Sequence, residues 1–132
     1  MELNKIIIDE KRHDQIIVLK EKNGPRLLPI VIGFLEVSSI KMKVSGIEPP
    51  RPLTHDLLKS VIDNLGARIE KVVIDKLEHN TFYAKLYLNN SNKTNLVIDA
   101  RPSDSIALAV RADAPIFVED DVIKQSEFLK EK

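Results

Sequence analysis

The sequence predicts an α+β fold, with one mostly antiparallel sheet system and three to four helices. Three observations lead there. Short β-branched runs joined by turn residues stand early in the chain and again in its middle, which is the pattern of antiparallel hairpins. Helical stretches with apolar spacing are mixed among them rather than alternating regularly with single strands, which argues against a doubly wound parallel sheet. No internal repeat of solenoid length and no low-complexity tract interrupts the pattern. At 132 residues, with 43% apolar and 30% charged side chains, residues 1–132 make one domain long enough to bury a sizeable core.

Taken in order, Lys5 to Asp9 and Gln15 to Lys20 read as strands around a polar turn at Lys11 to Asp14. Asn23-Gly24 signals a hairpin into Arg26 to Ile32, where Pro29 requires an edge position or a bulge. Gly33 ends that strand, and Phe34 to Val44 follows as a helix with Leu35, Val37, Ile40 and Val44 as its core stripe and Gly46 closing it. Ile47 to Leu53 holds Pro49, Pro50 and Pro52, so an extended, stiff loop is expected with Arg51 held out from it. Thr54 is the expected N-cap of a helix through Leu65, with Leu57, Leu58, Val61, Ile62 and Leu65 buried and Gly66 just past its end. Two long strands, Arg68 to Leu77 and Thr81 to Leu88, turn at His79-Asn80. After the Asn89 to Lys93 loop, Leu96 to Ala100 is a strand that meets Pro102, which suits the first turn of the next helix. Ala114-Pro115 leads into a short strand at Ile116 to Val118, and Glu119 to Asp121 opens a terminal helix that frays after Phe128.

Lysine plus arginine equals aspartate plus glutamate at 20 each, so the chain lacks the basic excess of a protein that grips long nucleic acid nonspecifically. Without cysteine there is no disulfide framework, thiolate metal site or cysteine nucleophile. The N-terminal residues lack a signal-peptide layout and no apolar run approaches membrane-spanning length, so a cytoplasmic location and no membrane partner are expected. Glycine-rich phosphate loops, G-x-S-x-G and H-E-x-x-H are absent, and no organic cofactor is expected.

Chemistry concentrates where the Asp99 strand turns into the Pro102 helix. Asp99 stands among apolar neighbours, where a carboxylate needs a partner, and Arg101 is the nearest candidate. Asp104 falls near the helix N-terminus, as Asp56 does in the earlier helix, and Arg-Pro precedes both helices (Arg51-Pro52 and Arg101-Pro102). With Glu36 and His55 these residues suit a phosphodiester site. Asp99, Asp104 and Glu36 are oxygen ligands for magnesium or manganese, Arg51 and Arg101 bind phosphate, and His55, Asp56, Asp99 and Asp104 are catalytic candidates. The positive helix end favours a neutral imidazole at His55. The bland alternative is that Asp56 and Asp104 only cap their helices and that Asp99 with Arg101 only locks the corner. If Asp99 and Asp104 instead share a metal site, neutralising either should leave stability level or raise it.

Glu48-Pro49-Pro50-Arg51-Pro52-Leu53-Thr54-His55-Asp56-Leu57-Leu58, followed by Asp99-Ala100-Arg101-Pro102-Ser103-Asp104-Ser105-Ile106-Ala107-Leu108-Ala109, resembles the bifunctional nuclease family, formerly a domain of unknown function. Leu28 to Gly33, Thr81 to Ala84 and Ala114 to Val118 extend the resemblance over about Leu3 to Val122, and the chain is similar to the small single-domain members of thermophilic bacteria. The resemblance implies nuclease activity on RNA and DNA, with nucleic acid as partner. The alternative class is a noncatalytic nucleic-acid-binding or regulatory domain whose polar corner is structural. A homodimer is expected as well, because Leu86, Leu88 and Arg26 to Ile32 offer more apolar strand surface than two layers cover.

Overall fold

A computed structural model describes residues 2–9, 16–32, 34–90, 92 and 94–130. Seven strands, β1 (Glu2–Asp9), β2 (Ile16–Glu21), β3 (Leu27–Val31), β4 (Ala67–Glu78), β5 (Thr81–Asn90), β6 (Asn95–Ala100) and β7 (Ile116–Val118), form one sheet in the order β3-β2-β1-β7-β4-β5-β6. Every neighbouring pair is antiparallel except β4 with β7. Helices α1 (Phe34–Val44), α2 (Thr54–Asn64), α3 (Pro102–Ala112) and α4 (Asp120–Lys130) complete the α+β domain. The expectations for Lys11 to Asp14 and for Gly33 lie outside the described residues.

Local chemistry explains most of the boundaries. Pro29 sits on β3, an outer strand of the sheet, where its missing N–H costs no ladder bond to a further neighbour. His79 and Asn80 both take positive φ (52° and 61°), the conformation of the two-residue hairpin turn that matches strand twist. Gly46 and Gly66 close their helices with φ of 74° and 80°, open to glycine at little cost. Pro102 opens α3 with Arg101 as its cap residue. The α4 helix runs on to Lys130, past the expected fraying point.

The core lies on one side of the sheet, where Ile17, Leu28, Val72, Ile74, Ala84 and Leu86 meet the helices. At its centre is α3, which packs against α1, α2, β4 and β5. Its residues Ser105 to Ala109 are all buried, and the small side chains of Ala107 and Ala109 let neighbours approach closely. Leu86 and Leu88, expected as surplus apolar surface, are core residues instead.

Two helix faces differ from expectation. On α1, Val37 and Ile40 are buried, but Leu35 and Val44 are exposed, because the helix turns Glu36 and Ser39 toward α3. On α2, only His55 and Ile62 are buried, while Leu57, Leu58, Val61 and Leu65 are exposed. The helix is rolled by about a quarter turn, given 3.6 residues per turn, away from its apolar stripe. His55 accounts for the roll: its ring is directed inward onto α1 and α3. The cap residue is Leu53 rather than Thr54, and the Asp56 carboxylate accepts the Leu53 N–H at 2.9 Å, which is half of a capping box. Among the described residues no helix is long and apolar enough to cross a membrane.

Candidate functional site

The first turns of α2 and α3 and one face of α1 converge to build a single polar chain. On α2, His55 Nε2 bonds Asp104 Oδ1 at 2.8 Å and Nδ1 bonds Ser39 Oγ of α1 at 2.7 Å. Arg101, the cap residue of α3, donates Nε to Asp104 Oδ2 at 2.9 Å and Nη2 to Glu36 Oε1 of α1 at 3.1 Å. From the far end of α3, Arg111 donates Nη2 to Ser39 Oγ at 2.9 Å and Nε to Asp56 Oδ1 at 2.7 Å. The sequence of contacts is Asp56, Arg111, Ser39, His55, Asp104, Arg101, Glu36.

Arg111 can only donate to Ser39 Oγ, and an ionised Asp104 can only accept from His55 Nε2–H. Ser39 Oγ, with one donor and two acceptor positions, bonds both Arg111 and His55 Nδ1. Burial pushes the Asp104 carboxyl up, but the hydrogen bonds from His55 and then Arg101, with the charge of Arg101, outweigh it and hold it below its usual value. At Asp56 burial again opposes ionisation and is outweighed by Arg111 and the Leu53 amide. Arg101 stands above its ordinary value through Asp104, and its side chain keeps 66% of its surface exposed. The Arg111 side chain, by contrast, is 4% exposed.

Beside this chain opens a cleft of about 730 Å³ between α2 and strands β5 and β6. Its floor and wall are apolar (Leu58, Ile62, Leu86, Ile98), and His55, Asp104 and Arg101 stand on one side. Arg101 also lines a second, 370 Å³ hollow with Pro29, Thr81 and Phe82, so the guanidinium stands where the two meet.

Of the residues singled out from the sequence, Glu36, His55, Asp56, Arg101 and Asp104 come together. Asp99 does not join them. It lines the cleft, but its side chain is 74% exposed and accepts from Lys85 Nζ on β5 at 3.2 Å, not from Arg101. The expected Asp99–Arg101 pair is therefore absent: Asp99 pairs with Lys85, and Arg101 with Asp104 and Glu36, because β6 is an outer strand and Asp99 meets water rather than a core. Arg51 is exposed on the proline-rich loop and does not line the cleft. Ser39 and Arg111 were missed, although each carried a signal: Ser39 follows Glu36 by one helical turn and Arg111 follows Asp104 by two, on the same face. Among the described residues no three His, Asp or Glu side chains stand together as a metal-holding group. Glu36 and Asp104 nonetheless bond to one nitrogen of Arg101, so two carboxylates already surround one cation.

Fold and site thus define an α+β domain with a charged relay at the edge of an apolar cleft. Residues 17–131 match the bifunctional nuclease domain, and the chain belongs to that family. It is 42% identical over 124 residues to an uncharacterised protein of Mycobacterium tuberculosis, covering 94% of this chain and 73% of that one. It is 31% identical over 115 residues to bifunctional nuclease 1 of Oryza sativa subsp. indica, and 32% identical over 110 residues to bifunctional nuclease 2 of Arabidopsis thaliana. These matches cover 83% and 80% of this chain but 34% and 33% of the plant proteins, so it spans about a third of their length.

Proposed function

We propose that this domain is a cytoplasmic nuclease that hydrolyses phosphodiester bonds in RNA and DNA at the cleft beside Arg101, with a divalent cation. The position of Arg101 carries the reading: a mostly exposed guanidinium stands at the cleft, held by two carboxylates that a phosphate can displace. Its planar fork suits bidentate contact with phosphate oxygens. That exchange would free Asp104 Oδ2 and Glu36 Oε1, hard oxygen donors of the kind that would hold magnesium or manganese. The ion, when bound, supplies a water of lowered pKa and neutralises charge at the phosphate. His55 acts as a positioning residue, because its bond to Oδ1 orients Asp104 and leaves Oδ2 toward the cleft. Zero net charge suits short or single-stranded substrate, since affinity grows with the number of phosphates neutralised. The domain is further proposed to work as a homodimer.

A second reading, a noncatalytic nucleic-acid-binding or regulatory domain, is favoured by the saturation of Asp104 by His55 and Arg101. Cleavage of single-stranded RNA and DNA followed through successive purification steps separates the two. The nuclease reading expects constant specific activity, loss in excess chelator, decline with salt and collapse in Arg101→Ala. Activity that disappears on purification leaves the second reading, and full cleavage in chelator by clean protein removes the cation.

A further inference from the structure

The outer edge of β6 is a strand-pairing surface without the protection seen at the other end of the sheet. On β3, Pro29 removes a backbone donor from the edge. Nothing comparable guards β6: it pairs with β5 in unbroken register from Asn95 to Ala100 and has neither proline nor bulge. Among the described residues nothing pairs with its far side. Leu96, Val97 and Ile98 are 45%, 52% and 44% exposed, so both of its faces present apolar side chains to water.

Hydrogen-bond phase and side-chain order on this strand agree with each other. Asn90 N–H donates to the Thr94 carbonyl at 3.2 Å, so Thr94 is turned toward β5. Alternation along an antiparallel ladder then turns the backbone groups of Leu96 and Ile98 inward and those of Asn95, Val97 and Asp99 outward. The stretch Asn95-Leu96-Val97-Ile98-Asp99 is also symmetric in character about Val97, with an aliphatic residue on each side and a short polar one beyond. A strand that is both outward-bonding and symmetric at one residue is complementary to an inverted copy of itself.

We propose that the occupant of this edge is a second copy of the chain, paired antiparallel through β6 about a two-fold axis at Val97. The inference is independent of the nuclease reading. In that register Val97 faces Val97 of the partner subunit, with N–H and carbonyl exchanged between them, and Leu96 faces Ile98 of the partner subunit. Asn95 faces Asp99 of the partner subunit, so an amide donor meets a carboxylate and no like charges are opposed. Directly opposite residues share a face, so Ile98 of both copies lies on the cleft side and the two clefts open on the same face of one continuous sheet.

Because the native chain has no cysteine, single-cysteine variants of the full chain report the register. Val97→Cys sets two Cα atoms about 5.5 Å apart across the axis, within disulfide range, whereas Asn95→Cys sets its pair about 14 Å apart. Mild oxidation is expected to convert Val97→Cys to a reducible species of twice the 15.0 kDa chain mass. Asn95→Cys, and Val31→Cys on the β3 edge, should both cross-link more slowly than Val97→Cys. Equal rates in all three, or no cross-link in Val97→Cys, overturn the proposal. Light scattering after size exclusion gives the second test. The native chain is expected at twice the chain mass at micromolar concentration, and Val97→Lys, which opposes two cations on the axis, should weaken the dimer by about tenfold or more with unchanged circular dichroism. A native monomer, or an undiminished Val97→Lys dimer, overturns it equally.

Discussion

Neutralising Asp104 tests whether the polar chain supports the fold. In Asp104→Asn the shape is kept, but one oxygen becomes a donor that must face either His55 Nε2–H or Arg101, both of which donate. Charge-assisted hydrogen bonds contribute about 1.5–3 kcal/mol each when buried. Asp104 is one-third exposed and Arg101 two-thirds, so screening reduces the Arg101 share to a fraction of that. A net loss of about 1–2 kcal/mol is expected, and at about 3–6 °C per kcal/mol for a chain of this size the melting temperature falls by about 3–12 °C. Asp99→Asn is the control, since its exposed pair with Lys85 is worth at most about 1 kcal/mol. Thermal unfolding by circular dichroism at pH 7 compares the two. This differs from the sequence-based expectation for a shared metal site, where each substitution leaves stability level or raises it. A stability gain in Asp104→Asn would falsify the relay described above, because repulsion rather than bonding would then dominate at that carboxylate.

Other expectations follow from the same contacts. Arg111→Met keeps the apolar stem but leaves Asp56 and Ser39 without their guanidinium partner. A loss of about 3–5 kcal/mol is expected in urea unfolding, and one below about 1 kcal/mol would show the buried pair to be dispensable. In acid, Asp56 and Asp104 have folded-state values held below their ordinary ones, so their contribution is complete above the unfolded carboxylate value near about 4 and is lost as pH falls through the lower folded values. Stability measured from pH 7 down to pH 2 should therefore be level to about pH 5 and then decline, less steeply in Asp104→Asn than in the native chain. An identical slope in both would exclude Asp104 as a contributor.

Short-range chemistry was legible in the residues. Pro29 at an edge, the His79-Asn80 turn, Pro102 opening α3 and the glycines closing α1 and α2 each depend on a backbone preference that acts within a few positions. Those preferences, with the hairpin pattern, were enough for the α+β class. Glu36, Asp56 and Asp104 were legible as acids at helix starts, where the dipole favours them, and with His55 and Arg101 they were named together from their chemistry alone.

Tertiary structure decided who pairs with whom. Asp99 and Arg101 are neighbours along the chain, yet the edge position of β6 sends one to Lys85 and the other to Asp104 and Glu36. The apolar stripe of α2 suggested a buried face, yet bonding of His55 to Ser39 and Asp104 rolls that stripe outward. Arg111 lay two turns from Asp104 on one helix face, but only the close packing of α1 and α2 on α3 places Ser39 and Asp56 within its reach. Partner choice among charged groups rests on distances of about 3 Å between elements far apart in sequence, and local pattern carries no information about those distances.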